Sequence, residues 1–167
     1  KWKTQYEVEW ECALSVANIS NVGFWAGLKL TNSPTITVDN DKAYFFFDSD
    51  DSVVGSLTTN ANLHFAYTIG GTHYTTNLGI AVEADITYRL RIVIDNNRKI
   101  SVFVNEQQYG LTQTSGSAGV TESTETQKSL QMTNNISLIP YIGVQSTTAE
   151  ADVLTVGYEK ISRNLSA

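Results

Sequence analysis

Apolar and polar side chains alternate along most of this chain, with a period of two. Between Tyr6 and Ala17, the side chains of Val8, Trp10, Cys12, Leu14 and Val16 share one side, and Glu7, Glu9, Glu11, Ala13 and Ser15 share the other. That period marks a half-buried strand. After a turn over 18–21 the alternation resumes at Val22, Phe24, Ala26, Leu28 and Leu30, with Trp25 and Lys29 facing outward. Tyr44, Phe45, Phe46 and Phe47 are aromatic at every position, which predicts burial on both faces. Leu63, Phe65, Tyr67 and Ile69 alternate with His64, Ala66 and Thr68, and Gly70-Gly71 then predicts a hairpin turn. Leu90, Ile92 and Ile94 lead through Asp95-Asn96-Asn97 to Ile100, Val102 and Val104, a second hairpin over 86–104. Two more strands are predicted over 136–145 and 153–161. No segment repeats apolar residues at helical spacing.

About nine short strands separated by turns predict an all-β, antiparallel β-sandwich formed by a single domain over 1–167. The first and last long strands are expected to pair as neighbours. Val8, Trp10, Leu14, Phe24, Leu28, Phe65, Ile92, Ile94, Val102, Val104, Val144 and Val156 should face the core. Residues 112–129 break the pattern: they are rich in Thr, Ser, Gly and Glu, with Val120 as the one large β-branched aliphatic side chain. Such a segment buries too little apolar surface to offset its ordering entropy, so a long flexible loop is expected there.

Composition narrows the function. Eleven Lys+Arg against 17 Asp+Glu give a net charge of −6. A nucleic-acid partner is not expected, because no basic run is present to replace phosphate counterions. The one cysteine, Cys12, excludes an internal disulfide and a multi-cysteine metal site. No apolar stretch approaches the roughly 20 residues of a membrane-spanning helix, so no membrane association is expected. The opening Lys1-Trp2-Lys3-Thr4 lacks the apolar core of a signal peptide.

Several segments, taken in order, resemble the concanavalin A-like jelly roll. They are Trp10–Leu14 with Gly23–Leu28, Tyr88–Ile92 with Lys99–Asn105, and Ile142–Gln145 with Leu154–Ile161. In the second pair, Asn105-Glu106 stands where the family usually has Asp-Gly. A narrower set resembles structural proteins of tailed bacteriophages: Ala43–Asp48, Asn62–Ala66, Leu78–Val82 and Leu138–Gln145. This resemblance implies a domain on the exterior of the virion, as a capsid decoration or tail-fibre component. It also implies other virion proteins as partners, and possible adsorption to host-surface glycans.

Three groups of residues invite a chemical reading. Glu7, Glu9 and Glu11 share a strand face at about 6.5–7 Å spacing. Side-chain rotamers bring such a pair within reach of the about 5–5.5 Å that retaining glycosidases need. Laminarinase-type hydrolases carry a related E-x-D-x-(x)-E strand, but here Glu9 replaces the Asp and the motif sits in the first strand. A solvated strand face is the simpler explanation, so no catalytic residue is assigned. Asp39 and Asp41 lie at one end of the aromatic strand, and Asp48, Asp50 and Asp51 at the other. Calcium wants roughly six to eight oxygens in one shell, so the two clusters cannot share an ion. Turn chemistry accounts for these residues, and neither a metal nor a cofactor is assigned, although one cluster with carbonyls leaves calcium open. His64 and His73 are expected to face each other across their hairpin, but two imidazoles fall short of the four ligands of a structural zinc site. Trp25, on the face away from the core, is a candidate sugar platform or partner contact, with His64 and Arg91 as neighbours across the sheet.

The expectation is a non-enzymatic virion domain, with a carbohydrate-binding module as the alternative and a glycoside hydrolase behind it. A particle protein occupies symmetry-related positions, so a homo-oligomer is expected, with a trimer favoured.

Overall fold

The computed structural model describes residues 2–34, 38–50, 61–116, 120–121, 126–148 and 151–164. Its strands are β1 (Trp2–Lys3), β2 (Val8–Val16), β3 (Val22–Lys29), β4 (Lys42–Asp48), β5 (Asn62–Ile69), β6 (Thr72–Ala81), β7 (Tyr88–Ile94), β8 (Ile100–Val104), β9 (Gln107–Tyr109), β10 (Val120–Thr121), β11 (Ser137–Ser146) and β12 (Leu154–Arg163). No helix occurs among the described residues. A seven-stranded sheet runs β1-β11-β3-β4-β5-β6-β10, and a five-stranded sheet runs β12-β2-β7-β8-β9. All neighbours are antiparallel except the short β10, which lies parallel to β6. The expected pairing of the first and last long strands is β2 with β12.

The alternation in the sequence becomes the core between these sheets. Val8, Trp10, Cys12 and Leu14 of β2 meet Leu90, Ile92 and Ile94 of β7, Val102 of β8, and Phe24, Phe45 and Phe65 of the larger sheet. All are buried. Complete burial of each such side chain contributes roughly 1.5–3 kcal/mol before entropy is counted. Tyr67 crosses the core edge, stacks on Tyr74 at 4.7 Å between ring centroids, and donates its hydroxyl to the Thr112 carbonyl at 2.6 Å.

Turn chemistry agrees with the residues present. Asn105 and Glu106 both have positive φ, 49° and 73°, between the paired residues Val104 and Gln107. This is a two-residue turn of the primed class, whose twist suits a hairpin; it joins β8 to β9. The Asn105 side-chain oxygen accepts the Arg89 backbone N–H at 2.9 Å. In β6 the register slips between Leu63 and His64 of the partner strand, and Gly79 takes up the slack at φ +69°.

Two expectations about burial are corrected. Val144 is 37% exposed and Val156 43%, although both lie in inward register, opposite Phe24 and Leu14. Val156 stands on β12, the edge of the smaller sheet, and Val144 on β11 beyond the two residues, Ser137 and Leu138, that β1 pairs, so no further strand covers them among the described residues. The segment 112–129 also departs from a wholly flexible loop at its ends. Thr112 and Ser129 are buried, the Leu111 N–H donates to the Gln127 carbonyl, and the Ser129 hydroxyl accepts the Ile100 N–H. Residues 117–119 and 122–125 of that expectation lie outside the described residues.

Candidate functional site

A sandwich offers two outward sheet faces, and the residues singled out in the sequence divide between them. On the larger sheet, register aligns Gly143, Trp25, Phe46, His64 and Asn77 in one row. The next row is Tyr141, Gly27, Tyr44, Ala66 and Thr75, and the third is Ile139, Lys29, Lys42, Thr68 and His73. Trp25 and His64 therefore share a row, with Phe46 between them. Arg91 does not: it belongs to β7 in the other sheet, so it is no neighbour of Trp25. His64 pairs with Asn77 and His73 with Thr68, so the two histidines do not face each other.

The centre of this face is buried. Trp25 is 6% exposed, and it forms a second buried cluster with Tyr44, Phe46 and Ala66, flanked by Tyr141. A Cβ added at Gly143 would lie 2.5 Å from the Trp25 ring, so the glycine leaves the space the indole fills. The Trp25 Nε1–H is buried with no hydrogen-bond partner among the described residues. His64 stacks on Phe46 at 5.2 Å, and its Nδ1 lies 2.8 Å from the Asn62 carbonyl, which fixes the proton on Nδ1. An apolar ring cannot serve as a sugar platform while it is buried.

The third row holds an unusual pair. Lys29 and Lys42 are directly opposite and both buried. Lys29 donates to the Ser33 carbonyl at 2.6 Å, lies 3.7 Å from Asp39, and sits over the Tyr141 ring at 4.5 Å. Burial lowers Lys42 to about 8, with the Lys29 charge pushing the same way and Asp39 opposing. Burial and the Lys42 charge also lower His73. The sequence reading placed Lys29 outward and missed its partner; the missing signal was register, which decides that two lysines on successive strands stand opposite.

The carboxylates are engaged locally. Asp39 accepts the Thr31 N–H and hydroxyl, and Asp41 accepts the Gly70 N–H and the Thr133 hydroxyl. Asp48 accepts the Asp50 N–H, and Asp50 accepts the Ser49 and Thr147 hydroxyls. Among the described residues no three His, Cys, Asp or Glu side chains converge as a metal shell. Asp51 lies outside the described residues.

The smaller sheet presents the other face. Register aligns Lys160, Glu11, Arg91, Phe103 and Gln108 across five strands. Glu11 is 7% exposed; it accepts the Tyr158 hydroxyl and lies 3.1 Å from Lys160 and 3.7 Å from Arg89. Burial alone would raise its carboxyl, but bonds from Tyr158 and Lys160, with the Lys160 and Arg89 charges, bring it below the usual range. Arg89 also pairs with Glu106 at 2.8 Å. Arg91 reaches Glu9 at 3.8 Å and covers the Phe103 ring at 4.0 Å. Glu7 instead accepts the Asn164 amide. A shallow crevice of about 10 Å³, lined by Glu11, Arg89, Arg91, Phe103 and Glu106, has room for about one water. A general acid needs a raised pKa and access to substrate; Glu11 has the opposite shift and is held by Tyr158 and Lys160.

No protein-family profile and no curated protein matches the chain. Solved structures do resemble its fold. A family 18 polysaccharide lyase superposes with a TM-score of 0.57 at 13% identity, over 96% of this chain and 73% of that one. An alginate lyase from Pseudomonas aeruginosa gives 0.56 at 10% identity, over 98% and 68%. The carbohydrate-binding module CBM66 from Bacillus subtilis gives 0.52 at 6% identity, over 93% and 74%. At these identities the likeness concerns the fold alone: the chain is an all-β jelly-roll sandwich of the concanavalin A-like kind.

Proposed function

We propose that this chain is a non-catalytic jelly-roll domain on the exterior of a tailed-bacteriophage particle, as a capsid decoration or a tail-fibre component. Several copies pack there against other virion proteins. The observation that supports a non-catalytic role is the burial of the centre of the larger sheet's outer face. Trp25, Tyr44, Phe46 and His64 fill it with buried side chains, leaving no open platform for a sugar ring. The particle role rests on the ordered resemblance of Ala43–Asp48, Asn62–Ala66, Leu78–Val82 and Leu138–Gln145 to phage structural proteins. These segments build β4, β5, β6 and β11, the body of the larger sheet. The test has two arms. Incubation of the domain with alginate and with β-glucans is expected to release no unsaturated or reducing ends, and release by either polymer overturns the non-catalytic reading. Immunogold labelling of intact particles is expected to place the chain on their surface, and unlabelled particles overturn the particle role.

A second reading, a carbohydrate-binding module, is favoured by the smaller sheet's outer face. There Arg89, Arg91, Glu11 and Phe103 surround the one-water crevice, and such groups pair with sugar hydroxyls. Binding on a glycan array that is lost in Arg91→Ala supports this reading.

A further inference from the structure

The strand β12 contributes little to the core. It is the edge of the smaller sheet, and none of its ten side chains is fully buried. Leu154 and Ile161 are half-buried against the core, while Val156 and Tyr158 are 43% and 38% exposed. Its partner β2 has seven of nine side chains buried and is paired on its other side with β7. The ladder between β12 and β2 is interrupted by a bulge between Val156 and Tyr158. A strand with few buried apolar contacts and solvent-exposed ladder bonds opens at a lower free energy than the whole fold.

The side chains that fasten the middle of β12 are polar, and they meet on one carboxylate. Glu11 of β2 is 93% shielded from solvent, being 7% exposed. It accepts the Tyr158 hydroxyl and pairs with Lys160 at 3.1 Å, both on β12. From β7 it is faced by Arg89, at 3.7 Å, and by Arg91; Phe103 of β8 and Glu106 of the turn after it complete the crevice. The other carboxylates of this face pair away from β12: Glu9 with Arg91, and Glu106 with Arg89. Glu159 of β12 accepts the Trp10 Nε1–H at 2.8 Å, and Glu7 accepts the Asn164 amide. Those two donors are neutral, and a protonated carboxyl still accepts from them through its C=O. The Lys160–Glu11 pair, by contrast, loses its charge attraction when Glu11 takes up a proton.

We propose that β12 is a releasable strand, which separates from β2 as a unit while the rest of the sandwich stays folded, and that Glu11 makes this separation acid-sensitive. Burial opposes ionisation of Glu11, yet its partners hold the closed carboxyl below its ordinary 4.5. Once β12 has left, the Tyr158 and Lys160 contributions are gone and the carboxyl binds a proton more readily. Acid therefore favours the open strand: the latch is complete above the ordinary value and is lost as pH falls through the lower, closed one. This concerns a motion of the fold and does not depend on the proposed particle role.

Hydrogen exchange of the purified domain, followed by NMR and corrected for the pH dependence of the intrinsic rate, tests both parts. At pH 7 the ladder amides of β12 are expected to be at least about tenfold less protected than those of β7. Between pH 7 and pH 4 their protection is expected to fall by about twofold or more relative to β7. Glu9→Gln is expected to keep that fall. Glu11→Gln and Lys160→Met are expected to remove most of it and to leave β12 less protected at pH 7. Lys160 is 62% exposed, so its replacement leaves the core untouched, and protected β7 amides show that each variant is folded. Equal protection of β12 and β7 at pH 7 overturns the proposal. So does an acid response that survives both Glu11→Gln and Lys160→Met, or one that is lost in Glu9→Gln. None of these readouts involves particles, so failure of the latch and failure of the particle role are told apart.

Discussion

Glycine and glutamate positions carry the sharpest consequences at the scale of single residues. The Trp25 indole occupies the space a Gly143 side chain would need. Buried rings have no free volume to move into, so Gly143→Ala is expected to lower stability by about 1–3 kcal/mol, as overpacking does, and to shift Trp25 fluorescence. Urea denaturation followed by fluorescence measures both. Glu11 makes a pH prediction. Its folded carboxyl titrates below its ordinary value of 4.5, so its stabilisation is present in full above that value. It is lost as pH falls through the lower folded value, because the unfolded chain takes up the proton first. Glu11→Gln is therefore expected to reduce stability at neutral pH and to flatten the acid limb of the stability curve. Thermal melts across pH 2–7 read this, and an unchanged acid limb contradicts it.

Among the elements, the β7–β8–β9 region joins core and turn in one stretch of chain. Leu90 is buried in β7, so Leu90→Ala is expected to cost about 2–5 kcal/mol. Glu106 holds φ at 73°, a conformation glycine adopts without the steric cost of a Cβ. Its ion pair with Arg89 is exposed on both sides and contributes little. Glu106→Gly is expected to leave stability equal or raise it by roughly 0.5 kcal/mol, measured by the urea midpoint, whereas a loss above about 1 kcal/mol contradicts this account of the turn. These elements were legible because alternation and turn residues are local. Leu90, Ile92, Ile94, Val102 and Val104 declare a buried hairpin by themselves. Register was not legible, and register is what put Lys29 opposite Lys42, aligned Glu11 with Arg91, and separated His64 from His73.

At the scale of the molecule, period two states which side a residue faces and not what lies beyond it. Val144 and Val156 face inward as predicted, yet no strand pairs beyond them among the described residues: β12 is the edge of the smaller sheet, and β1 covers β11 only at Ser137 and Leu138. Trp25 faces outward as predicted, yet it is buried in a cluster with Tyr44, Phe46 and Ala66. Arg91 was placed near Trp25 because one sequence does not reveal which strands share a sheet. The sandwich was legible, but the state of each face depended on its packing, and the account of function rests on that packing. The most direct test of that account is an electron cryo-microscopy map of the intact phage particle on which this chain is proposed to sit. The account predicts density for a two-sheet sandwich in many symmetry-related copies on the outer surface. Particles whose map has no such density, or has it only inside the capsid, contradict it.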